Sequence, residues 1–184
     1  MNQHDMTRNM VLAALFAALT AIGAFLQIPT GTVPITLQFL FTALAGLLLG
    51  WKWGAVSQLL YVGIGLLGLP VFTQGGGIGY MLQPSFGFLL GLIPAAAVIG
   101  AMTARRTGYL TVLAAVLVGD LILYAVGVPY MYLILHVYMQ SAKTFPALLA
   151  AMLVYVPGDT LKIVVVTALA PVLRRTLVKA VPNL

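Results

Sequence analysis

Apolar runs long enough to cross a membrane alternate along the chain with short breaks rich in glycine, proline or basic residues. A helix needs roughly 20 predominantly apolar residues to span the hydrocarbon core of a bilayer. Six spans are predicted, at residues 8–27, 36–49, 55–69, 86–102, 109–127 and 147–173. Residues 1–7 read as a polar tail, and residues 28–35, with Pro29, Gly31 and Pro34, as an uncharged break. Gly50-Trp51-Lys52-Trp53-Gly54 reads as a tight turn whose tryptophans suit a headgroup interface. Residues 70–85 are the longest loop-like stretch, and Gly75, Gly76 and Gly77 within it let the backbone come close to a ligand. Residues 128–146, with Pro129, Tyr130, Tyr132, His136, Tyr138 and Lys143, read as a re-entrant or interfacial segment.

Composition turns this pattern into a class. Of 184 residues, 62% are hydrophobic and 7% charged, more apolar surface than the core of a soluble domain of this size can hide. The expectation is an all-α integral membrane protein: a single membrane domain over 1–184, with six transmembrane helices in a compact bundle. The net charge of +6 does not point to nucleic acid, because the basic residues are scattered between apolar runs; topology accounts for them. Arg8, Lys52, Arg105, Arg106, Arg174, Arg175 and Lys179 fall on one side of six spans and Lys143 on the other. Seven basic residues against one place both termini in the cytoplasm by the positive-inside rule, in a multi-pass protein of the cell membrane. The glycine-bearing loops then face outward, which suits capture of an external solute. With no cysteine, disulfides and thiolate metal sites are excluded, and His4, His136 and three acids do not make a metal cluster. The G-x-x-x-x-G-K-[ST] pattern of a phosphate-binding loop does not occur.

The chemistry concentrates in Tyr155-Val156-Pro157-Gly158-Asp159-Thr160-Leu161-Lys162. A charge at mid-bilayer costs roughly 2.5–3.5 kcal/mol on insertion scales, so an intramembrane Asp and Lys are candidates for function. Asp159 and Lys162 stand three apart, on one helical face where they can pair. Pro157 removes a backbone donor and crowds the carbonyl of Leu153, which predicts a helix break beside the pair. Lys162 lies twelve residues from Arg174, about 18 Å along a helix. Asp120, fourteen residues beyond Arg106, falls about 21 Å along its own helix, so the three charges can share one level. An ion pair that only neutralises itself is the competing reading for Asp159 and Lys162, and a polar helix–helix contact the competing one for Asp120. In the first span Ala13, Ala17 and Ala21 repeat every fourth residue, as do Ala14 and Ala18. Such stacked small side chains let another helix pack closely, inside the bundle or from a partner subunit.

Several segments together resemble the biotin-specific substrate-binding (S) components of energy-coupling factor (ECF) transporters, the BioY family. They are Gly65-Leu66-Leu67-Gly68-Leu69-Pro70-Val71-Phe72, then Leu82-Gln83-Pro84-Ser85-Phe86-Gly87-Phe88-Leu89-Leu90-Gly91, the stretch from Gly119 through Tyr124 to Gly127, and Val156-Pro157-Gly158-Asp159-Thr160-Leu161-Lys162. Ser85 stands where the family usually has Thr, and Phe86 where Gly is common. The resemblance implies a non-enzymatic protein of six helices that captures biotin from outside. Uptake would be driven by partners, one coupling transmembrane protein and two cytoplasmic ATPases, with no cofactor. Lys162 would complement the biotin carboxylate or donate to its ureido carbonyl, and Asp159 would accept from the ureido N–H groups. Tyr80 and Gln83 would add hydrogen bonds, Phe72 and Tyr155 would pack on the body, and Ala13, Ala17 and Ala21 would form the partner contact. An S component for another vitamin and a stand-alone biotin transporter are alternatives within this class. An intramembrane enzyme is weaker, since no Ser/His dyad lies at depth and only Asp and Lys are present for acid–base work.

Overall fold

The structure, a computed structural model, describes residues 3–30, 33–105 and 108–180, with side chains described up to residue 173. Gly31 of the proline-glycine break, Arg106, and the side chains of Arg174, Arg175 and Lys179 therefore lie outside the described residues. Helix α1 (Gln3–Phe25) leads into strand β1 (Gln27–Ile28), which pairs antiparallel with β2 (Ile35–Thr36) in the register Gln27↔Thr36 and Ile28↔Ile35. Helix α2 (Gln38–Leu66) follows, then a 3₁₀ turn (Ile78–Leu82), α3 (Phe86–Thr103) and α4 (Tyr109–Leu133). A π-helical turn (Ile134–Tyr138) extends α4, and α5 (Phe145–Met152), a 3₁₀ turn (Leu153–Tyr155) and α6 (Val156–Ala180) complete the described elements. Among the described residues, five helical stretches are long and apolar enough to cross a membrane.

One of the five, α2, is not straight. Gly50 has φ 75°, which a side chain rarely tolerates, and there the chain folds back. Gln38 Nε2 donates to Tyr61 Oη at 2.8 Å, and Thr42 Oγ1 to Gln58 Oε1 at 2.9 Å. A straight helix would hold Gln38 and Tyr61 about 35 Å apart. Residues 38–49 and 51–66 are thus antiparallel arms of a hairpin. The expected five-residue turn is a single glycine, with Trp51 to Gly54 already helical.

Three other expectations are corrected. The tail is helical from Gln3, with Asp5 in the first turn, where the helix dipole favours an acid, and ion-paired to Arg8 at 3.3 Å. The segment after Gly127 is not re-entrant: α4 and its π turn continue to Tyr138 despite Pro129, leaving only residues 139–144 irregular. The break in the last span falls at the 3₁₀ turn Leu153–Tyr155. Pro157 instead sits in the first turn of α6, where a missing N–H has no helical partner to lose.

Large apolar side chains face outward as well as inward; Leu110, Leu121 and Leu161 are all exposed. That pattern suits hydrocarbon as the surrounding solvent. With lipid outside and apolar side chains inside, helix cohesion has to come from close packing and interhelical hydrogen bonds. A Cβ placed on Gly46 would lie 2.4 Å from the Ala96 carbonyl oxygen, so α2 and α3 touch backbone to backbone. Thr20 of α1 and Thr42 both bond the buried Gln58 amide, tying α1 to the hairpin. The Gly50 turn packs on Gly100 near the end of α3, at the opposite end of the bundle from β1 and β2.

Gly46→Ala is expected to destabilise the protein by about 1–3 kcal/mol through overpacking. Gly63→Ala, at a helical position with nothing within 4 Å of its added methyl, is expected to leave stability unchanged or slightly raised. Thermal unfolding in detergent compares the two; equal midpoints would contradict the backbone contact.

Candidate functional site

A cavity of about 70 Å³ lies where β2, the start of α2, α3, α4 and the start of α6 converge. The local sequence explains the convergence. The β1–β2 pairing folds residues 33–36 over the first turn of α6, where Ile35 Cγ2 lies 3.3 Å from the position a Gly158 Cβ would take. The 3₁₀ turn before α6 sets Asp159 in that helix's first turn, at the positive end of its dipole.

Asp159 and Lys162 are 6% and 7% exposed. Lys162 Nζ lies 2.5 Å from Asp159 Oδ1 and donates to the Thr36 carbonyl at 3.3 Å. The Tyr124 hydroxyl donates to Asp159 Oδ2. Thr36 Oγ1 donates to Gln38 Oε1 at 2.8 Å, and Gln38 passes the chain of bonds on to Tyr61, whose hydroxyl donates to the Val71 carbonyl at 3.1 Å. A second polar group lies on the wall formed by residues 73–85. There Tyr80 Oη shares hydrogen bonds with Thr73 Oγ1 at 2.8 Å and Ser85 Oγ at 3.3 Å. Apolar walls from Phe39, Phe88, Leu89, Leu92, Leu123 and Met152 complete the lining. A mostly apolar cavity with a few placed polar groups is the usual form of a small-molecule site.

Of the residues expected to bind a ligand, the structure brings Asp159, Lys162, Tyr80 and Tyr155 to this cavity. Phe72 is fully buried behind it, its ring 4.6 Å from that of Tyr80 and 5.5 Å from that of Tyr61, so it supports Tyr80. Gln83 is exposed and outside the lining. Asp120 sits one turn before Tyr124, also outside the lining, with Oδ1 buried and without a hydrogen-bond partner. Tyr124, Thr36, Gln38 and Thr73 line the site without having been singled out for it. Of these, Tyr124 carries a sequence signal, its place in the family-like stretch from Gly119 to Gly127. In the first helix, Ala13 and Ala17 are buried at 2% and 4% exposure and Ala21 is half-buried. The outward alanines of α1 are Ala14 and Ala18.

Residues 1–179 match the BioY family. The chain belongs to it. A protein of Lysinibacillus sphaericus named probable biotin transporter BioY is 52% identical over 147 residues, 79% of this chain and 75% of its own length. The biotin transporter BioY of Thermotoga maritima is 35% identical over 164 residues, 89% of this chain and 94% of its own. The crystal structure of the S-component for biotin from an ECF-type ABC transporter is 29% identical, with a TM-score of 0.83 over 95% of each chain. This BioY-family chain therefore shares the S-component fold, with Asp159 and Lys162 in a buried polar cluster that lines its cavity.

Lys162→Met, which leaves Asp159 buried without its cation, is expected to cost about 3–5 kcal/mol of stability. The double variant Asp159→Leu/Lys162→Met removes both charges and is expected to recover most of that loss. Denaturation in detergent measures both; equal losses in the single and double variants would contradict a mutually neutralising pair.

Proposed function

We propose that this chain is the substrate-binding component of an ECF-type transporter and captures biotin for uptake. The observation that carries the reading is the buried Asp159–Lys162 pair lining a mostly apolar cavity, in a chain of the BioY family. Biotin matches this lining in kind. Its ureido ring needs acceptors and a donor, its carboxylate needs a cation, and its thioether body and chain need apolar walls. Asp159 accepts ureido N–H groups, Lys162 serves the carbonyl or the carboxylate, and Tyr80 and Tyr124 adjust the hydrogen bonding. Phe88, Leu89 and Leu92 pack on the body. Phe72 holds Tyr80 in place, and Asp120 stays behind the wall as a polar group between helices.

In this reading α2 crosses the membrane twice, once with each arm of its hairpin, so that six helices span the bilayer and both termini are cytoplasmic. The cavity end, bearing the 70–85 stretch and the β1–β2 pair, then faces outward. The Gly50 turn with Lys52, and the end of α3 with Arg105, face the cytoplasm, in accord with the positive-inside rule. Energy comes from partner subunits, a coupling membrane protein and two ATPases, because the sequence contains no phosphate-binding loop of its own. Partner contact falls to the outward Ala14 and Ala18 rather than to Ala13 and Ala17, which the bundle already covers.

Calorimetry on purified protein tests the site. Biotin is expected to bind one to one, and Asp159→Asn and Lys162→Ala each to weaken binding about tenfold or more, since each leaves a buried charge or donor unpaired. Unchanged affinity in folded variants would reduce the pair to a structural role. Ala18→Trp is expected to abolish co-purification with the partner subunits while sparing biotin binding; the opposite pattern would remove α1 from the interface.

A further inference from the structure

A second cavity, of about 370 Å³, lies beside the first, between α5, the end of α4 and Thr30. Met152 and Tyr155 line both and form the partition between them. Tyr155 is latched: its hydroxyl donates to the Val33 carbonyl and shares a 2.9 Å hydrogen bond with Thr30 Oγ1, tying the start of α6 to the β1–β2 connection. Met152, its companion, has an unbranched and readily rearranged side chain. At about 70 Å³ the inner cavity is well below the roughly 300 Å³ at which sites for small organic ligands begin. Moving the partition joins it to the larger space.

The outer cavity has its own chemistry. Ala147, Leu148, Ala151 and Val154 give it an apolar floor along α5 and the turn after it, and Lys143 stands at its edge. Lys143 is exposed, and among the described residues its ammonium is in no ion pair, whereas Lys162 inside is already matched to Asp159. Lys143 is therefore the cation at these two cavities that is left for an arriving carboxylate to pair with.

We propose that the outer cavity is an entry site, distinct from the inner one, for a small amphipathic carboxylate. The acid group docks on Lys143 and the apolar body on α5, before Tyr155 releases Val33 and Thr30 and the ligand passes inward. The inference rests on the uptake reading above and adds a route and a first contact to it. A charge at the mouth of a site acts on association and its salt dependence more than on dissociation.

The absence of cysteine allows a direct test. Ala151→Cys is labelled with a bulky maleimide, and biotin association is followed by stopped flow on purified protein. Labelling is expected to slow association about tenfold or more, with the unlabelled variant matching the parent. Lys143→Glu is expected to slow association about threefold or more at low salt, with the difference shrinking at high salt and dissociation unchanged. A parent that binds biotin while labelling and charge reversal leave association untouched overturns the entry site alone. A parent that does not bind biotin overturns the uptake reading and this inference with it.

Discussion

An ammonium and a carboxylate inside hydrocarbon must find each other and then fill their remaining hydrogen-bonding capacity from the protein. Water is not there to do it, and each unsatisfied group costs several kcal/mol. Lys162 reaches Asp159 and the Thr36 carbonyl, while Asp159 receives Tyr124. Those few contacts draw β2, α4 and α6 to one point, and Gln38 and Tyr61 extend the network to both arms of the α2 hairpin. The short β1–β2 pairing, the 3₁₀ turn before α6 and the single-glycine reversal at Gly50 serve this convergence. Each places a carbonyl, a hydroxyl or a helix end where the pair needs it.

Under the proposed function, the same arrangement equips the pair for recognition. Its members are matched to each other through bonds that a polar ligand can exchange, an amide or urea edge for Asp159 and a carbonyl or carboxylate for Lys162. Replacing an internal bond by a ligand bond of equal quality keeps every buried group satisfied, which makes selection demanding. A ligand that lacks one of the groups leaves a buried charge unmatched, at the high cost such groups carry. Apolar walls alone cannot discriminate in this way.

What could be read from the residues divides along physical lines. Apolar runs and basic flanks marked helices and breaks, because the bilayer imposes length and composition directly. Asp159 and Lys162 stood out because a charge at that depth is costly. The hairpin arms are legible, but the sequence suggests a reversal over five residues, since composition does not reveal that one positive-φ glycine suffices. The helix beyond Gly127 is hidden in the sequence because Pro129 and a cluster of tyrosines resemble an interfacial loop, while the chain in fact continues as helix into a π turn. For the alanines, two interleaved four-residue repeats on one helix look alike in sequence, and only packing shows that Ala13 and Ala17 turn inward and Ala14 and Ala18 outward. Thr36 and Gln38 carry no mark in the sequence because a neutral hydroxyl or amide becomes a site residue only through neighbours distant in the chain; Tyr124 lies in a family-like stretch, but its role too depends on Asp159, 35 residues away.

The central claim is that the Asp159–Lys162 cluster is a biotin site rather than a self-contained ion pair. Native mass spectrometry of the protein purified from biotin-containing medium addresses it most directly. One bound mass equal to biotin per chain is expected on the parent and a much smaller bound fraction on Lys162→Ala. Biotin retained equally by both, or a parent carrying a different small molecule and refusing biotin, would contradict it.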